Sequence, residues 1–342
     1  MTLSSSWIAL QLPLMHTSGQ RSKRFQPVLA TTAGILFVST ASIFTRFAQQ
    51  EAPSIVIAAA RLVIASAVLL PIAWVRYRQQ WQSLTRADLL KGCLSGVFLA
   101  LHFATWINSL ELTSVASSVV LVTTTPLWVA LLSPFILKEP IRRSVLIGLL
   151  VSITGGVIVG IGHTCQLVQG EFVCQALIVN KRAMWGNFLA LFGAWMAAGY
   201  MIIGRQLRKK LNTIAYTALV YGVAALLLVI VTIIRAEPIH SYAPKTYVWL
   251  LALGLFPQLL GHSLLNWALK HISAAYVALT LLGEPIGTII LALIFLKESP
   301  TLLEGAGAML IMIGIVIGSI GRAKRVNGAY FDCEFHLNKP GG

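Results

Sequence analysis

Two charged residues lie inside long apolar stretches, where a charge is costly. Glu284, followed at once by Pro285, lies within LTLLGEPIGTIILALIFLKES (Leu279–Ser299), and Arg61 lies within AAARLVIA. A charged side chain at the centre of a membrane helix costs about 2.5–3.5 kcal/mol on insertion scales. Such residues usually face a protein interior or a wet cavity, where they meet a partner, a proton or a bound molecule. These two residues are therefore the first candidates for a binding or proton-transfer site.

Each of these charges has a structural as well as a functional interpretation. For Glu284 the functional role is proton coupling or binding of an amine. The structural role, which we favour, is to bond backbone groups exposed by a kink at Pro285 or to contact the fourth apolar segment. For Arg61 the alternatives are binding a carboxylate, pairing with Glu284, or snorkelling towards an interface. The pattern favours pairing or cavity lining over direct binding of a substrate.

Two histidines add polar groups at a similar depth in their segments. His102 and Trp106 share one helical face at i and i+4, and His262 lies close to Asn266 in a later apolar segment. In an amphipathic cavity wall, tryptophan stacks on a substrate or cation and histidine relays protons. An interfacial tryptophan and a hydrogen-bonded core histidine explain the same residues, and the sequence leaves both alternatives open.

Hydroxyl side chains recur along the fourth apolar segment, Ser118 and Thr125 among them. They suit either a polar path or close helix packing with bonds to backbone carbonyls, and packing is the commoner role. Other residues at helix ends and breaks are expected to cap helices or fix turns rather than to bind a substrate. These helix-end residues are Glu139, Glu298, Pro126 and Pro285.

Cysteine usage argues against a metal centre. Cys165 and Cys174 share one connection between apolar segments, and in an oxidising exterior they could close a small ring; two unpaired cysteines are the alternative. The chain has no zinc-type cysteine spacing, no phosphate-binding glycine loop and no nucleophile elbow. We therefore expect no metal, no cofactor and no enzymatic activity.

Long apolar segments must position all of these groups. Of 342 residues, 57% are hydrophobic and 11% are charged, with a net charge of +15 and a mean hydropathy of +0.79. A soluble domain carries charge on about a quarter of its residues. The composition therefore predicts a polytopic membrane protein, whose basic residues indicate orientation rather than nucleic-acid binding. The candidate membrane helices are ten: 27–47, 54–75, 89–108, 114–137, 144–162, 183–204, 213–234, 246–269, 273–296 and 302–320.

Basic clusters set the orientation of these ten segments. VRYR, KEPIRR, GRQLRKK and GRAKR all fall on one side when ten helices are counted, and the positive-inside rule places that side in the cytoplasm. We expect a multi-pass cell-membrane protein with both termini cytoplasmic. The predicted units are a cytoplasmic tail (1–26), a first repeat (27–162), an extracytoplasmic loop (163–182), a second repeat (183–321) and a cytoplasmic tail (322–342).

The two units are called repeats because the sequence matches itself at a shift of 159 positions. TPLWVALLSPFILKEPIRR (Thr125–Arg143) then falls on EPIGTIILALIFLKESPTL (Glu284–Leu302), with Pro126 on Pro285. An odd number of helices per half predicts that the halves are inverted relative to each other. Inverted repeats are typical of secondary transporters, whose substrate site lies between the halves near the midplane.

Each half resembles the EamA domain of the drug/metabolite transporter superfamily. The resemblance rests on LELTSVASSVVLVTTTPLWVALLSPFILKE (Leu110–Glu139), on LKHISAAYVALTLLGEPIGTIILALIFLKE (Leu269–Glu298) and on Arg61, and it covers roughly residues 27–321. The lysine before each terminal glutamate departs from the family's usual glycine. The resemblance implies ten helices around a central cavity, and transport of small metabolites, often amino acids and often outward.

The sequence therefore predicts an all-α integral membrane protein with ten transmembrane helices in two inverted five-helix repeats. We expect a secondary transporter that works by alternating access, with export of amino acids or related compounds as the leading interpretation. Transport is proton-coupled or facilitated, since no nucleotide-binding motif is present. The alternatives are a facilitative channel and a non-transporting membrane protein of the same fold. The expected partners are a small-molecule substrate and the lipid bilayer, and no nucleic acid.

Overall fold

The fold is taken from a computed structural model that describes residues 17–113, 118, 121–162, 165–168, 171–174, 181–296, 302–303 and 305–318. Glu298 lies outside the described residues, as do most of the predicted N-terminal tail and the whole C-terminal tail.

Helices make up nearly all of the described chain. The first half contains α1 (Thr17–Ala48), α2 (Ser54–Gln82), α3 (Arg86–Leu112), α4 (Thr125–Ile136) and α5 (Arg143–Gly162). A short hairpin of β1 (Cys165–Val168) and β2 (Glu171–Cys174) follows. The second half contains α6 (Lys181–Leu207), α7 (Thr213–Ile234), α8 (Pro244–His271), α9 (Ala274–Leu281), α10 (Glu284–Leu296) and α11 (Gly305–Gly318).

Six of the described helices are long and apolar enough to cross a membrane. They are α2, α3, α6, α7, α8 and the part of α1 from Gln26 to Ala48. Shorter apolar helices accompany them: α4, α11 and α5 over Arg143–Ile158. Large apolar side chains such as Phe135 and Val75 remain about 80% exposed, as expected for surfaces that face lipid. The chain is a multi-pass membrane protein.

Capping groups set the starts of several helices. At α3 the Thr85 hydroxyl accepts a bond from the Asp88 amide at 3.1 Å, and the Asp88 carboxylate accepts one from the Thr85 amide at 3.4 Å. Asn212 caps α7 by accepting a bond from the Ile214 amide at 2.9 Å. These bonds satisfy amides that have no partner within the helix.

The helices α5 and α11 cross at backbone contact. A Cβ atom on Gly148 would lie 2.4 Å from the Gly314 carbonyl oxygen, and one on Gly155 would lie 2.6 Å from the Gly307 carbonyl oxygen. Between these two points the Ser152 hydroxyl donates to the Ile311 carbonyl at 3.2 Å. Small residues at such a crossing let two membrane helices approach closely.

Two predicted membrane helices are interrupted by turns. The segment predicted at 114–137 has a turn at Thr123–Thr124 before α4, and the segment predicted at 273–296 has a turn at Leu282–Gly283 between α9 and α10. Proline is the reason in both cases, because it lacks the amide that would continue the helix. The carbonyl of Val122 that Pro126 cannot bond accepts the Thr125 hydroxyl instead, at 2.7 Å.

Two further features were not predicted. The loop 163–182 contains the antiparallel hairpin β1–β2, so that only the membrane-embedded part of the described chain is all-helical. Within α8, the segment Gly254–His262 is π-helical and contains Pro257. A π-helical segment holds one more residue per turn and is frequent at functional sites.

The connection between α1 and α2 is tied to α8 by Glu51. Its carboxylate accepts bonds from the Thr246 hydroxyl at 2.8 Å and the Ala243 amide at 2.7 Å. These bonds, that of Thr246 first, hold the pKa of Glu51 below its ordinary value, and nearby Lys245 acts in the same direction. A lowered folded-state pKa stabilises the fold above the unfolded pKa, and this contribution is lost as the pH falls through the folded pKa.

We expect Glu51→Gln to lower the thermal unfolding midpoint of the detergent-purified protein at pH 7. The difference from wild type should begin to shrink as the pH falls below the ordinary glutamate pKa of about 4.3, and it should disappear once the pH passes the lower folded-state pKa, where the wild-type carboxyl is protonated too. The measurement is the midpoint of both proteins between pH 7 and pH 3.5. A difference that stays constant over that range would contradict the assignment.

Candidate functional site

A central cavity of about 160 Å³ lies among the helices. Every described helix except α7 and α11 contributes to its lining, which is mostly apolar. Nine of the residues singled out in the sequence line it: Arg61, His102, Trp106, Thr125, Pro126, His262, Asn266, Glu284 and Pro285. The sequence thus identified residues from five helices that the fold brings to one place.

Arg61 is fully buried in the wall of the cavity. Its Nε donates to the Gln258 side-chain oxygen at 3.0 Å, and its Cζ lies 3.9 Å above the Phe103 ring. Both terminal nitrogens, Nη1 and Nη2, have no hydrogen-bond partner among the described residues. Buried donors without acceptors are uncommon, because the cost of desolvation is then uncompensated.

Glu284 is the first residue of α10 rather than a mid-helix residue. Its backbone carbonyl accepts the Ser39 hydroxyl at 3.1 Å, while its side chain is partly buried and reaches the cavity. Among the described residues, no hydrogen bond or ion pair joins its carboxylate to Arg61 or to backbone groups near Pro285. A carboxylate at a helix N-terminus is stabilised by the helix dipole.

Both histidines contact the Phe103 ring. His102 bonds the Gly193 carbonyl through Nδ1 at 2.9 Å, and because a carbonyl only accepts, Nδ1 carries the proton. Its ring is parallel to that of Trp106 at a centroid distance of 6.1 Å. His262 meets the Phe103 ring edge-on at 5.4 Å. Trp106 is 5% exposed, and its Nε1 has no partner among the described residues.

Asn266 anchors a buried group of hydroxyls. Its Nδ2 donates to the Tyr200 hydroxyl, to the Tyr221 hydroxyl at 3.3 Å and to the His262 carbonyl at 2.8 Å. Its Oδ1 has no partner among the described residues. Hydrogen bonds of Nδ2 therefore fix the Asn266 side chain, and its Oδ1 remains as an unused acceptor at the cavity wall.

Two predicted residues have packing contacts rather than cavity contacts. Ser118 is buried and shares a hydrogen bond of 2.6 Å with the Ser109 hydroxyl of α3. Glu139, after α4, forms an ion pair of 2.9 Å with Arg205 of α6, which also donates to the Leu269 carbonyl at 2.6 Å. Neither lines the cavity. Glu139 thus ties the end of α4 to α6 and, through Arg205, to α8.

The hairpin places two predicted cysteines opposite each other. In its register the Cα atoms of Cys165 and Cys174 are partners. Residues directly opposite in an antiparallel pair have Cα atoms about 4.5–5.5 Å apart, which lies within the range that a disulfide spans. The backbone is therefore compatible with the predicted ring.

Two residues that complete the environment of Arg61 were missed in the sequence. Gln258 and Phe103 lie in apolar segments and show no motif. His102 and His262 are one position out of register in the repeat alignment, which marks a local difference between the two segments but singles out neither Gln258 nor Phe103. A group of three or more His, Cys, Asp or Glu residues that could hold a metal is absent from the described part of the chain.

Comparison with known proteins gives the family. The model of the EamA-like transporter family matches residues 26–161 and 184–320. An uncharacterized transporter of Clostridium kluyveri is 24% identical over 257 residues, covering 75% of this chain and 80% of that protein. The pseudopaline exporter CntI of Pseudomonas aeruginosa is 26% identical over 284 residues, covering 81% and 90%. A solved structure, described as "Crystal structure of protein", superposes with a TM-score of 0.70 at 18% identity over 88% of this chain and 98% of that one, which shows a shared fold.

Proposed function

The chain belongs to the EamA-like transporter family, and from that membership we propose that it is a secondary transporter that exports amino acids or related compounds by alternating access. The observation that carries this proposal is the central cavity, which is bounded by helices of both family-matched halves. A substrate site shared between two halves is what alternating access requires, because the halves can then move around it.

The helix contacts support an inverted repeat of two five-helix halves. At the shift of 159, α1, α2 and α3 correspond to α6, α7 and α8. In the structure α3 packs on α6 and α7, while α8 packs on α1 and α2. The crossing of α5 and α11 is symmetric in the same way. Gly148 and Gly155 of α5 are equivalent to Gly307 and Gly314 of α11 at the shift of 159, and Gly148 packs on Gly314 while Gly155 packs on Gly307. Each of these contacts maps onto another observed contact when every helix is replaced by its equivalent in the other half. A pseudo-two-fold axis between the halves predicts this pattern.

The interrupted helices support a site near the midplane. The turns at Thr123–Thr124 and Leu282–Gly283 are 159 positions apart, and the helices after them begin at Thr125 and Glu284, which both line the cavity. Two helix N-termini, each with a partial positive charge, therefore point towards one space. Discontinuous helices of this kind form substrate sites in many transporters. The short helices α4, α9 and α10 then belong to two broken spans, which brings the proposed total to ten.

The proposed arrangement has both termini in the cytoplasm of a cell-membrane protein. The repeats are assigned to 27–162 and 183–321, and the hairpin lies in the extracytoplasmic loop 163–182. The ion pair of Glu139 with Arg205, which also donates to the Leu269 carbonyl, would then lie at the cytoplasmic end of the helix bundle.

Flux measurement tests the function. Purified protein is reconstituted into vesicles loaded with a panel of radiolabelled amino acids, and initial efflux rates are followed with and without an imposed pH gradient. Saturable efflux that unlabelled substrate inhibits supports a transporter; efflux that rises linearly with concentration indicates a channel. Acceleration by the gradient distinguishes proton coupling from facilitation. Absence of flux for every solute would reject the proposal in favour of a non-transporting membrane protein.

We expect Cys165 and Cys174 to form a disulfide in protein isolated without reductant. Alkylation of the denatured protein should then modify two of the four cysteines, and all four only after reduction. Mass spectrometry of the intact chain counts the added groups, and a Cys165→Ser variant provides the control. Modification of all four cysteines before reduction would contradict both the bond and an oxidising location for the loop.

A further inference from the structure

The terminal nitrogens of Arg61 lack the partners that a buried guanidinium needs. The side chain is 0% exposed, yet Nη1 and Nη2 have no hydrogen-bond acceptor among the described residues. The guanidinium cannot relieve this by losing its proton, because arginine stays charged in proteins. An acceptor that enters the cavity would supply the missing bonds.

The contacts of Arg61 leave one edge of its guanidinium without an acceptor among the described residues. Gln258 accepts the Nε proton at 3.0 Å on one edge, and the Phe103 ring covers one face at 3.9 Å. The remaining edge carries Nη1 and Nη2, two donors in a planar fork. A carboxylate matches this fork with two parallel hydrogen bonds, and such charge-assisted pairs are about twice as strong as neutral ones.

The π-helical segment of α8 places Gln258 against this arginine. Ile64 of α2 and Val223 of α7 are equivalent positions at the shift of 159. Gly96 of α3 packs on Val223, and Gly254 of α8 packs on Ile64, so Gly96 and Gly254 are equivalent too. These two glycines are 158 positions apart, so the shift is 158 where the π-helical segment begins. After it, LKHIS matches LELTS at a shift of 159. Between Gly254 and Leu269, α8 therefore holds one residue more than the matching stretch of α3, and this part of α8 includes the π-helical segment, where Gln258 is 0% exposed. The position in α7 that corresponds to Arg61 is Val220, so the second half carries no such cation.

Glu284 lines the same cavity without neutralising Arg61. No ion pair joins the two side chains among the described residues, although each acts on the other electrostatically. Opposite charges held apart in a largely apolar space attract a solute that carries both signs close together. The N-terminus of α4, where uncharged Thr125 faces the cavity, adds positive potential for an anionic group.

We propose that Arg61 binds the carboxylate of the transported solute and that Gln258 is the positioning residue that holds its guanidinium at the wall of the cavity. This inference rests on the proposed function and adds the substrate class: compact solutes with a carboxylate and an apolar remainder. The bond to Nε fixes the rotation of the guanidinium, so Gln258 acts through Arg61 and does not itself touch the solute.

Ligand series that differ only in the carboxyl group test the assignment. The probes are L-leucine and L-phenylalanine, their amides, and 4-methylpentanoate and 3-phenylpropionate, which keep the carboxylate and lack the amine. Dissociation constants are taken from thermal shifts of the full-length, detergent-purified protein. We expect the carboxylates to bind at least about 30-fold more tightly than the matched amides, because an unpaired buried charge is left in the amide complexes.

Two variants separate a binding role from a folding role. Arg61→Lys should abolish the preference for acid over amide, because a point charge cannot reproduce the fork or bond Gln258 in the same way. Gln258→Leu keeps the arginine, and it should reduce the same preference while the protein still folds. Gln206→Leu, a matched change on α6 outside the cavity, should leave the preference unchanged. Loss of stability alone weakens acids and amides equally and does not alter their ratio.

Equal affinity for acids and amides in the wild type would overturn the proposal. Two other results would also overturn it: chloride stabilises the protein as much as any carboxylate does, or no carboxylate binds. If the vesicles still transport a solute in either case, the transport function stands and only the role of Arg61 fails. Absence of all flux instead rejects the function, and the inference with it.

Discussion

Replacement of Glu284 by glutamine is expected to slow export at least about tenfold, without loss of the folded protein. The carboxylate reaches the cavity and has no hydrogen-bond or ion-pair partner among the described residues, so its charge serves no structural contact there. Glutamine has nearly the same shape, and it keeps the backbone carbonyl that accepts the Ser39 hydroxyl. The change therefore removes a site for a proton or an amine while it preserves packing.

Initial efflux rates from vesicles across pH 5.5 to 8 measure this effect. The matched control is Glu139→Gln, which removes the same charge from an ion pair outside the cavity and should keep a wild-type pH profile. Efflux by Glu284→Gln at the wild-type rate, with the wild-type pH profile, would exclude a transport role for the carboxylate. Its role would then be structural, as the sequence alone favours.

The change Gly148→Ala is expected to disrupt the fold, since α5 and α11 have no room for a side chain there. The added Cβ would lie 2.4 Å from the Gly314 carbonyl oxygen and 2.8 Å from the Gly318 amide, both backbone atoms that side-chain rotation cannot move. Overpacking of this kind costs about 1–3 kcal/mol and occasionally more. We expect a lower thermal midpoint and a smaller folded fraction in size-exclusion chromatography.

Gly305→Ala on α11 is the matched control, because no atom of the described residues lies within 4 Å of its added Cβ. Gly305 is the first residue of α11, so its replacement by alanine overpacks no described neighbour. We therefore expect Gly148→Ala to lower the thermal midpoint and Gly305→Ala to leave it close to that of the wild type. Equal midpoints would mean that α5 and α11 do not cross at Gly148.

Local chemistry accounts for what the sequence predicted well. Long apolar runs located the helices from α1 to α8, and the costly charges of Arg61 and Glu284 indicated residues that face a cavity. The carbonyls, hydroxyls and rings that surround these charges come from distant parts of the chain. Phe103 and Gln258 are ordinary residues in apolar helices until α3 and α8 bring them to Arg61.

The missed features depend on competition between local and long-range forces. Pro285 indicated a kink, and both Pro126 and Pro285 were expected at helix ends or breaks, but the sequence did not predict where each turn would lie or what would bond the backbone there. At Thr123–Thr124, the Thr125 hydroxyl bonds the Val122 carbonyl, which has no amide partner at Pro126. At Leu282–Gly283, turn hydrogen bonds join the backbone amides to carbonyls three residues earlier. These bonds stabilise the interruptions. The hairpin β1–β2 was missed because four-residue strands carry too little alternation to be recognised.

The difference between the two halves at Arg61 has a consequence for how a cargo is oriented. A transporter assembled from two interchangeable halves would offer a solute two equivalent poses, head to one side or head to the other, with equal energy. Under the binding role proposed for Arg61, the pairing of this arginine with Val220 at the corresponding position removes the degeneracy, because only one half then offers a cation to the carboxylate. The π-helical segment of α8, which brings Gln258 to Arg61, adds to the difference between the halves, so that the carboxylate end of the proposed solute has one orientation in the cavity.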